Sequence, residues 1–296
     1  MLVAEILFTG LQIGVFYALM AVGLTVIFGI LKVVNFAHGE FFMIGAYGYT
    51  MLILKAGVPP AVALASAVVL TALAAVIVER LLLRPLYSGE IRAGAMRDEY
   101  AIIVTFGLSL FLINLAHQLM GPYPTKGPEL VGGSRAEVFG MFMNPHRLAA
   151  SAAAVAVLGA VVWAIRSTLW GKRVQAVAQN RFGAAIAGID HVRVSVTVLA
   201  LSGALVGLSG ALLSPFFLAY PDVGAFPAVK SFVVVVLGGM GSIAGSIVGG
   251  LLLGVLENFG AIYISYDYRD TFGFVILMLV LLARPQGLFG ERSREV

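Results

Sequence analysis

A chain of 296 residues that is 60% hydrophobic and only 11% charged does not hide its apolar surface in a water-soluble core, because soluble domains carry about 25% charged residues. Its mean hydropathy of +0.99 and formal charge of +4 describe a protein whose solvent is lipid and whose basic excess is modest. The chain has no cysteine, which excludes disulfides and thiolate metal sites.

Taken in chain order, the first residues, Met1 to Glu5, lack the basic run of a signal peptide, and the charge-free stretch 6–31 follows directly. The expectation is a first helix that is retained. A polar interlude from Asn35 to Glu40 then leads into a weaker apolar segment at 41–54, and 56–78 is again free of charge. After a basic loop comes 100–120, where Asn114, His117 and Gln118 share one helical face by their spacing. Pro122, Pro124, Gly127, Pro128, Gly132 and Gly133 mark 121–147 as turns. Three further charge-free runs, 148–165, 194–221 and 231–256, and a short one at 271–283 complete the set. Each long run matches the roughly 20 residues that cross the hydrocarbon core as a helix. None shows the alternation of a barrel strand. The fold expected is an all-α polytopic membrane protein with about eight transmembrane helices, broken or re-entrant segments among them.

Lysine and arginine mark cytoplasmic loops. Arg80, Arg84, Arg92 and Arg97 form one cluster, Arg166, Lys172, Arg173, Arg181 and Arg193 a second, and Arg284, Arg292 and Arg294 a third, holding twelve of the nineteen basic residues. All three are therefore assigned to the cytoplasm and 121–147 to the outside. Three full spans between the second cluster and the tail would leave that tail outside, so a segment must be interrupted. Leu31 to Gly48 and the glycine-rich run from Lys230 to Asn258 are the two suspects. Interrupted helices survive at membrane depth where protein or a water-filled cavity satisfies their backbone, and their ends commonly face a transported solute. This makes Asn35, His38, Glu40, Gly238, Gly239, Gly241 and Ser242 the pathway candidates.

The segment Leu169 to Asn180 reads as a short amphipathic helix with a basic face, and Arg181 to Asp190 as a second turn that Gly188 ends. Two readings stand for it: a docking surface for a soluble partner, or a helix resting on lipid headgroups.

Four ordered motifs give the chain a family likeness: Asn35-Phe36-Ala37-His38-Gly39-Glu40-Phe41; Gly171 to Asp190; Val236-Leu237-Gly238-Gly239-Met240-Gly241-Ser242-Ile243-Ala244-Gly245; and Arg284-Pro285-Gln286-Gly287-Leu288-Phe289-Gly290. From about Leu11 to Gly290 the chain resembles the LivH-type permeases of branched-chain amino acid ATP-binding cassette importers. Ala244 departs from the proline common at that position. The resemblance implies one permease domain over 1–296, multi-pass in a bacterial-type inner membrane. It also implies a heteromeric importer with a second homologous permease, two cytoplasmic ATPases and an extracytoplasmic solute-binding protein, the solute being a small amino acid and nucleic acid having no part. The loop 166–193 then corresponds to the coupling segment, with Lys172, Arg173, Ala176, Gln179, Asn180, Ala184, Ala185 and Gly188 at the ATPase. No cofactor is expected in this chain, and no metal. ATP and magnesium belong to the partner ATPases, since Gly171-Lys172 is followed by Arg173 and Arg166 stands where a phosphate loop needs its first glycine.

An ionisable residue inside a membrane is a functional hypothesis. Glu40, with Asn35 and His38 as prospective partners, is read as part of a network that shapes the pathway rather than as a solute contact. Glu257 and Asn258 are read as the interfacial end of the glycine-rich segment, and Glu79 with Arg80 as an interface pair. No nucleophile and base face each other in a catalytic pattern, so the chain is read as a transport subunit and not an enzyme. Two alternatives stay open: an ion-coupled secondary transporter of small polar solutes, and a urea or amide permease of the same family.

Overall fold

The computed structural model describes residues 2–85, 97–133, 136–138 and 141–290, so that Arg92, Arg292 and Arg294 of the basic clusters lie outside the described residues. The helices, in order, are α1 (Leu2–Leu31), α2 (His38–Ala56), α3 (Pro60–Val78, continued by a π turn over Glu79–Leu83) and α4 (Arg97–Met120). A small hairpin, β1 (Ala136–Val138) and β2 (Met141–Met143), precedes α5 (Pro145–Ser167), α6 (Leu169–Gln179), α7 (Arg181–Ile186) and α8 (His191–Phe217). Then come α9 (Ala225–Gly238), α10 (Ile243–Tyr263) and α11 (Arg269–Ala283).

Six of these helices, α1, α3 to α5, α8 and α10, are long and apolar enough to cross a membrane. The other segments counted in the sequence reading, 41–54 and 271–283, do form helices, α2 and α11, of 19 and 15 residues. The run 231–256 is not one span: α9 ends at Gly238, and Gly239 and Gly241 take positive φ values of 102° and 91° before Ser242 starts α10 by accepting the Gly245 N–H. The other suspected interruption is also present, because Lys32 adopts φ 56° at the end of α1 and 32–37 is not helical. With α9 and α10 separate, four helices follow the central basic loop. Of these four, α8 and α10 are long and apolar enough to cross a membrane.

Local chemistry sets several other ends. Gly57, at φ 65°, closes α2 through N–H bonds from Gly57 to Ile53 and from Val58 to Leu52, and Pro60 opens α3 at its first turn. Leu218, at φ 62°, stops α8 four residues short of the predicted end of its span.

Backbone contacts divide the chain into two compact units. In the unit formed by 26–128 and 158–228, α2, α3 and α8 pack on one another through small residues. A Cβ on Gly45 would strike the backbone of Gly207, one on Gly210 the carbonyl of Phe42, and one on Gly203 would lie 2.6 Å from the Ala75 methyl. Such contacts let apolar helices gain dispersion energy where lipid supplies no hydrophobic drive. In the unit formed by 1–25, 129–157 and 229–296, α1 and α10 repeat the device: a Cβ on Gly14 would come within 2.8 Å of the Gly250 carbonyl oxygen, and one on Gly250 within 2.6 Å of the Ala18 nitrogen. Thr25 and Ser246 join the same pair by their hydroxyls.

Candidate coupling surface and buried polar clusters

Thr168 caps α6 by accepting the Gly171 N–H at 3.1 Å, and Asn180 both ends α6 and caps α7 through the Gly183 N–H at 2.9 Å. Asp190 caps α8 through the Val192 and Arg193 N–H groups. Gly188 has φ 77° and ends the α7 turn, as its position in the sequence suggests. This hairpin is mounted firmly on its own unit. Trp170 donates its indole N–H to Thr197 at 2.9 Å, Gln175 donates to the Ile165 carbonyl at 2.9 Å, and Arg181 donates to the Ile30 carbonyl at 2.6 Å. Gly171 lies so close to the carbonyls of Ala164 and Ile165 that no side chain fits between them.

The opposite face is open. Leu169, Phe182 and Ile186 are 74%, 76% and 75% exposed. Lys172, Arg173, Gln179, Asn180, Ala185 and Gly188 are exposed beside them, Ala176 is half-buried and Ala184 is buried against its own helices. Large exposed apolar side chains on a segment that also exposes Lys172 and Arg173 are of the kind that marks an interaction surface.

The first pathway candidates form a buried group. Asn35, His38 and Glu40 are all buried. Asn35 accepts the Ala37 N–H through its side-chain oxygen at 3.0 Å, which fixes the turn into α2. Glu40 accepts the hydroxyl of Ser109 on α4, one helical turn beyond Thr105, whose Oγ1 accepts the Phe36 N–H at 3.2 Å. The carboxylate is thus tied across to α4, and the bonds expected from Asn35 do not reach it. On α4, Asn114 turns back to its own Leu110 carbonyl at 2.7 Å, while His117 meets Asp222 at 3.3 Å. Glu79 is fully buried in the π turn, and neither carboxylate oxygen has a hydrogen-bond partner among the described residues, so it is not the interface pair with Arg80 that adjacency suggested.

The second pathway group has a packing role. The segment after α11 lies along the α9–α10 turn, with Leu288 N–H donating to the Leu237 carbonyl and Phe289 N–H to that of Gly238, both at 2.9 Å. A Cβ on Gly287 would sit 2.6 Å from the Gly239 nitrogen. Gly238 and Gly239 are buried in this contact, Gly241 is exposed and Ser242 is the cap of α10. Two of the four motifs therefore meet in one place.

The sequence reading placed Glu257 and Asn258 at an interface, and the structure corrects this. Glu257 is fully buried inside α10, accepts the Tyr17 hydroxyl on one oxygen at 3.0 Å and is bonded on the other by Lys230, itself 1% exposed. Asn258 donates to the Ile6 carbonyl at 2.7 Å. One signal was available: Lys230 is the sole lysine or arginine between Arg193 and Arg269, and a lone charge in such a run requires a partner. Among the described residues no group of three or more histidine, aspartate or glutamate side chains is placed to hold a metal ion.

The family model described as "Branched-chain amino acid transport system / permease component" matches residues 6–283. The high-affinity branched-chain amino acid transport permease LivH of Escherichia coli K12 is 31% identical over 310 residues, covering 98% of this chain and 96% of that protein. The corresponding permease BraD of Pseudomonas aeruginosa is 31% identical over 302 residues with the same coverage. The ribose import permease RbsC of Bacillus subtilis is 32% identical over 174 residues, 55% of this chain. No solved structure matches the chain.

Proposed function

We propose that this chain, which belongs to the branched-chain amino acid transport permease family, is the membrane subunit of an ATP-driven importer for branched-chain or closely related amino acids. The observation that carries the reading is the α6–α7 hairpin: bonded to α5, α8 and the end of α1 on one side, and presenting Leu169, Phe182 and Ile186 with Lys172 and Arg173 on the other. An exposed apolar face that is rigidly held transmits a push. Cytoplasmic ATPases grip this face, and closure of the ATPase pair on ATP and magnesium moves the hairpin and the helices to which it is bonded. Nucleotide drives that change by binding one state more tightly than the other. The permease alternates access for a solute delivered by an extracytoplasmic binding protein, and it works beside a second, homologous permease.

The topology that fits has the N-terminus outside and nine helical passes. α1 to α3 lead to the first basic cluster inside, α4 and α5 to the hairpin inside, and α8 to α11 to the tail inside. The whole chain acts as one permease domain in a bacterial-type inner membrane, with 166–193 as its coupling loop and the hydrolytic site on other polypeptides. The test replaces Leu169, Phe182 and Ile186 together with serine and measures retention of co-expressed ATPases on the purified permease by mass spectrometry. Each fully buried side chain of this size is worth about 1.5–3 kcal/mol, so the ATPases should be lost while the permease stays folded. Undiminished retention would refute the assignment of this face.

A further inference from the structure

One buried charge pair lies outside everything assigned so far, and it joins four elements of a single unit. Lys230 extends from α9 to the carboxylate of Glu257 on α10 and stands 3.4 Å from Asp270 at the start of α11. Its ammonium also sits 6.0 Å from the ring centres of Tyr17 on α1 and of Phe274 on α11. Tyr17 holds the second oxygen of Glu257. Both oxygens are therefore engaged from within the protein, and an incoming ammonium or carboxylate would have to break the pair to use either charge. The backbone is shaped to the pair as well: a Cβ on Gly273 would collide with the Glu257 carboxylate and lie 3.3 Å from the Lys230 ammonium. A side chain at 273 would have to push the carboxylate out of its place against Lys230.

The position of the pair gives it a mechanical meaning. Lys230 lies eight residues before the end of α9 at Gly238, about 12 Å along the axis. At that far end the backbone of Leu237 and Gly238 is bonded by Leu288 and Phe289. The short helix α9 is thus tied near its middle by an ion pair to α10 and α11, and at its C-terminal end by the segment that follows α11. Burying a charge pair in an apolar unit is a poor way to gain stability, because desolvation offsets most of the attraction. A pair buried at such a place is suited to fixing one arrangement of the helices around it.

We propose that Lys230 and Glu257 are positioning residues for transport: their ion pair, braced by Tyr17 and Asp270, makes α9, α10 and α11 one rigid body that moves as a unit when the importer switches, without touching the solute. This rests on the importer reading given above. A rigid-body role and a solute contact separate kinetically, since loss of a contact weakens apparent affinity whereas loss of rigidity slows the cycle.

The test uses the assembled importer, permease with its ATPases and binding protein, in vesicles, and measures ATP-driven leucine uptake at a range of leucine concentrations. Uptake by the wild-type assembly establishes the importer reading independently. Lys230→Met and Glu257→Gln each leave one unpaired buried charge or a broken bond, and each should cut the maximal rate at least about tenfold while the half-saturating concentration stays within about twofold. The double variant K230M/E257M removes both charges and keeps the volume, so it should assemble at wild-type level and remain slow. A tenfold rise in the half-saturating concentration at an unchanged maximal rate would overturn the proposal in favour of a solute contact. Wild-type kinetics in the double variant, or its failure to assemble, would overturn it in favour of a purely structural pair.

Discussion

The mounting of the α6–α7 hairpin yields an expectation that separates docking from transmission. Arg181→Ala removes the bond to the Ile30 carbonyl, 2.6 Å long and made by a charged donor, and Gln175→Ala removes the neutral bond to Ile165 at 2.9 Å. Bonds from charged groups contribute about 1.5–3 kcal/mol and neutral ones about 0.5–1.5 kcal/mol, so the double change weakens the mounting by roughly 2–4.5 kcal/mol. The Trp170 bond to Thr197, the Thr168 cap and the tight seat of Gly171 remain, which keeps the hairpin formed. Since about 1.4 kcal/mol is a factor of ten in a conformational equilibrium, a motion passed through these bonds should lose at least about tenfold in efficiency. The exposed face is untouched, so ATPase binding and nucleotide hydrolysis should hold within about twofold. The assay compares hydrolysis and solute uptake in the same vesicles. A parallel fall of both, or a fall of neither, would show that the bonds to Ile30 and Ile165 are not the route of transmission.

Two other expectations concern the interior. In Gly250→Leu a Cβ would lie 2.6 Å from the Ala18 nitrogen, where 3.4 Å or more is ordinary. Overpacking of this kind costs about 1–3 kcal/mol, and thermal unfolding in detergent should begin roughly 2–10 °C lower; an unchanged transition would mean that α1 and α10 do not meet there. Glu40→Ala leaves Ser109 without its acceptor and should lower uptake about tenfold, whereas Glu40→Gln preserves an acceptor and should retain most of it. Normal uptake by the alanine variant at normal protein level would remove Glu40 from the pathway network.

What the sequence revealed and what it concealed divide along a physical line. Local signals were legible. The α6 and α7 boundaries, the αL turn at Gly188 and the interruption near Asn35 all depend on neighbours within a few residues, through caps, amphipathic spacing and backbone preference. The break at Gly239–Ser242 was suspected from glycine content and needed for parity, but its position was not fixed, because a charge-free run with high hydropathy continues across it. The lone Lys230 signalled that a partner was needed, but the identity of partners distant in sequence was not legible. Glu257 lies 27 residues from Lys230 and 240 from Tyr17, so no periodicity connects them, and its place near the end of an apolar run imitated an interfacial residue. Likewise Asn35 and His38 were the natural sequence neighbours for Glu40, while the bonded group, Ser109, comes from another helix 69 residues away. The glycines at 238 and 239 signalled close approach of something, and only the fold identifies it as Gly245 of α10 for the first and the segment ending at Gly290 for the second.

The native chain contains no cysteine, which allows a direct test of where the hairpin faces and what it meets. A single Ala185→Cys, on the exposed side of α7, carrying a short cross-linker in the assembled importer, should join the permease to an ATPase subunit, and in intact cells it should resist membrane-impermeant thiol reagents. Labelling of that cysteine from outside, or cross-linking that never captures an ATPase, would contradict the central claim that this surface is the handle through which ATP drives the helices.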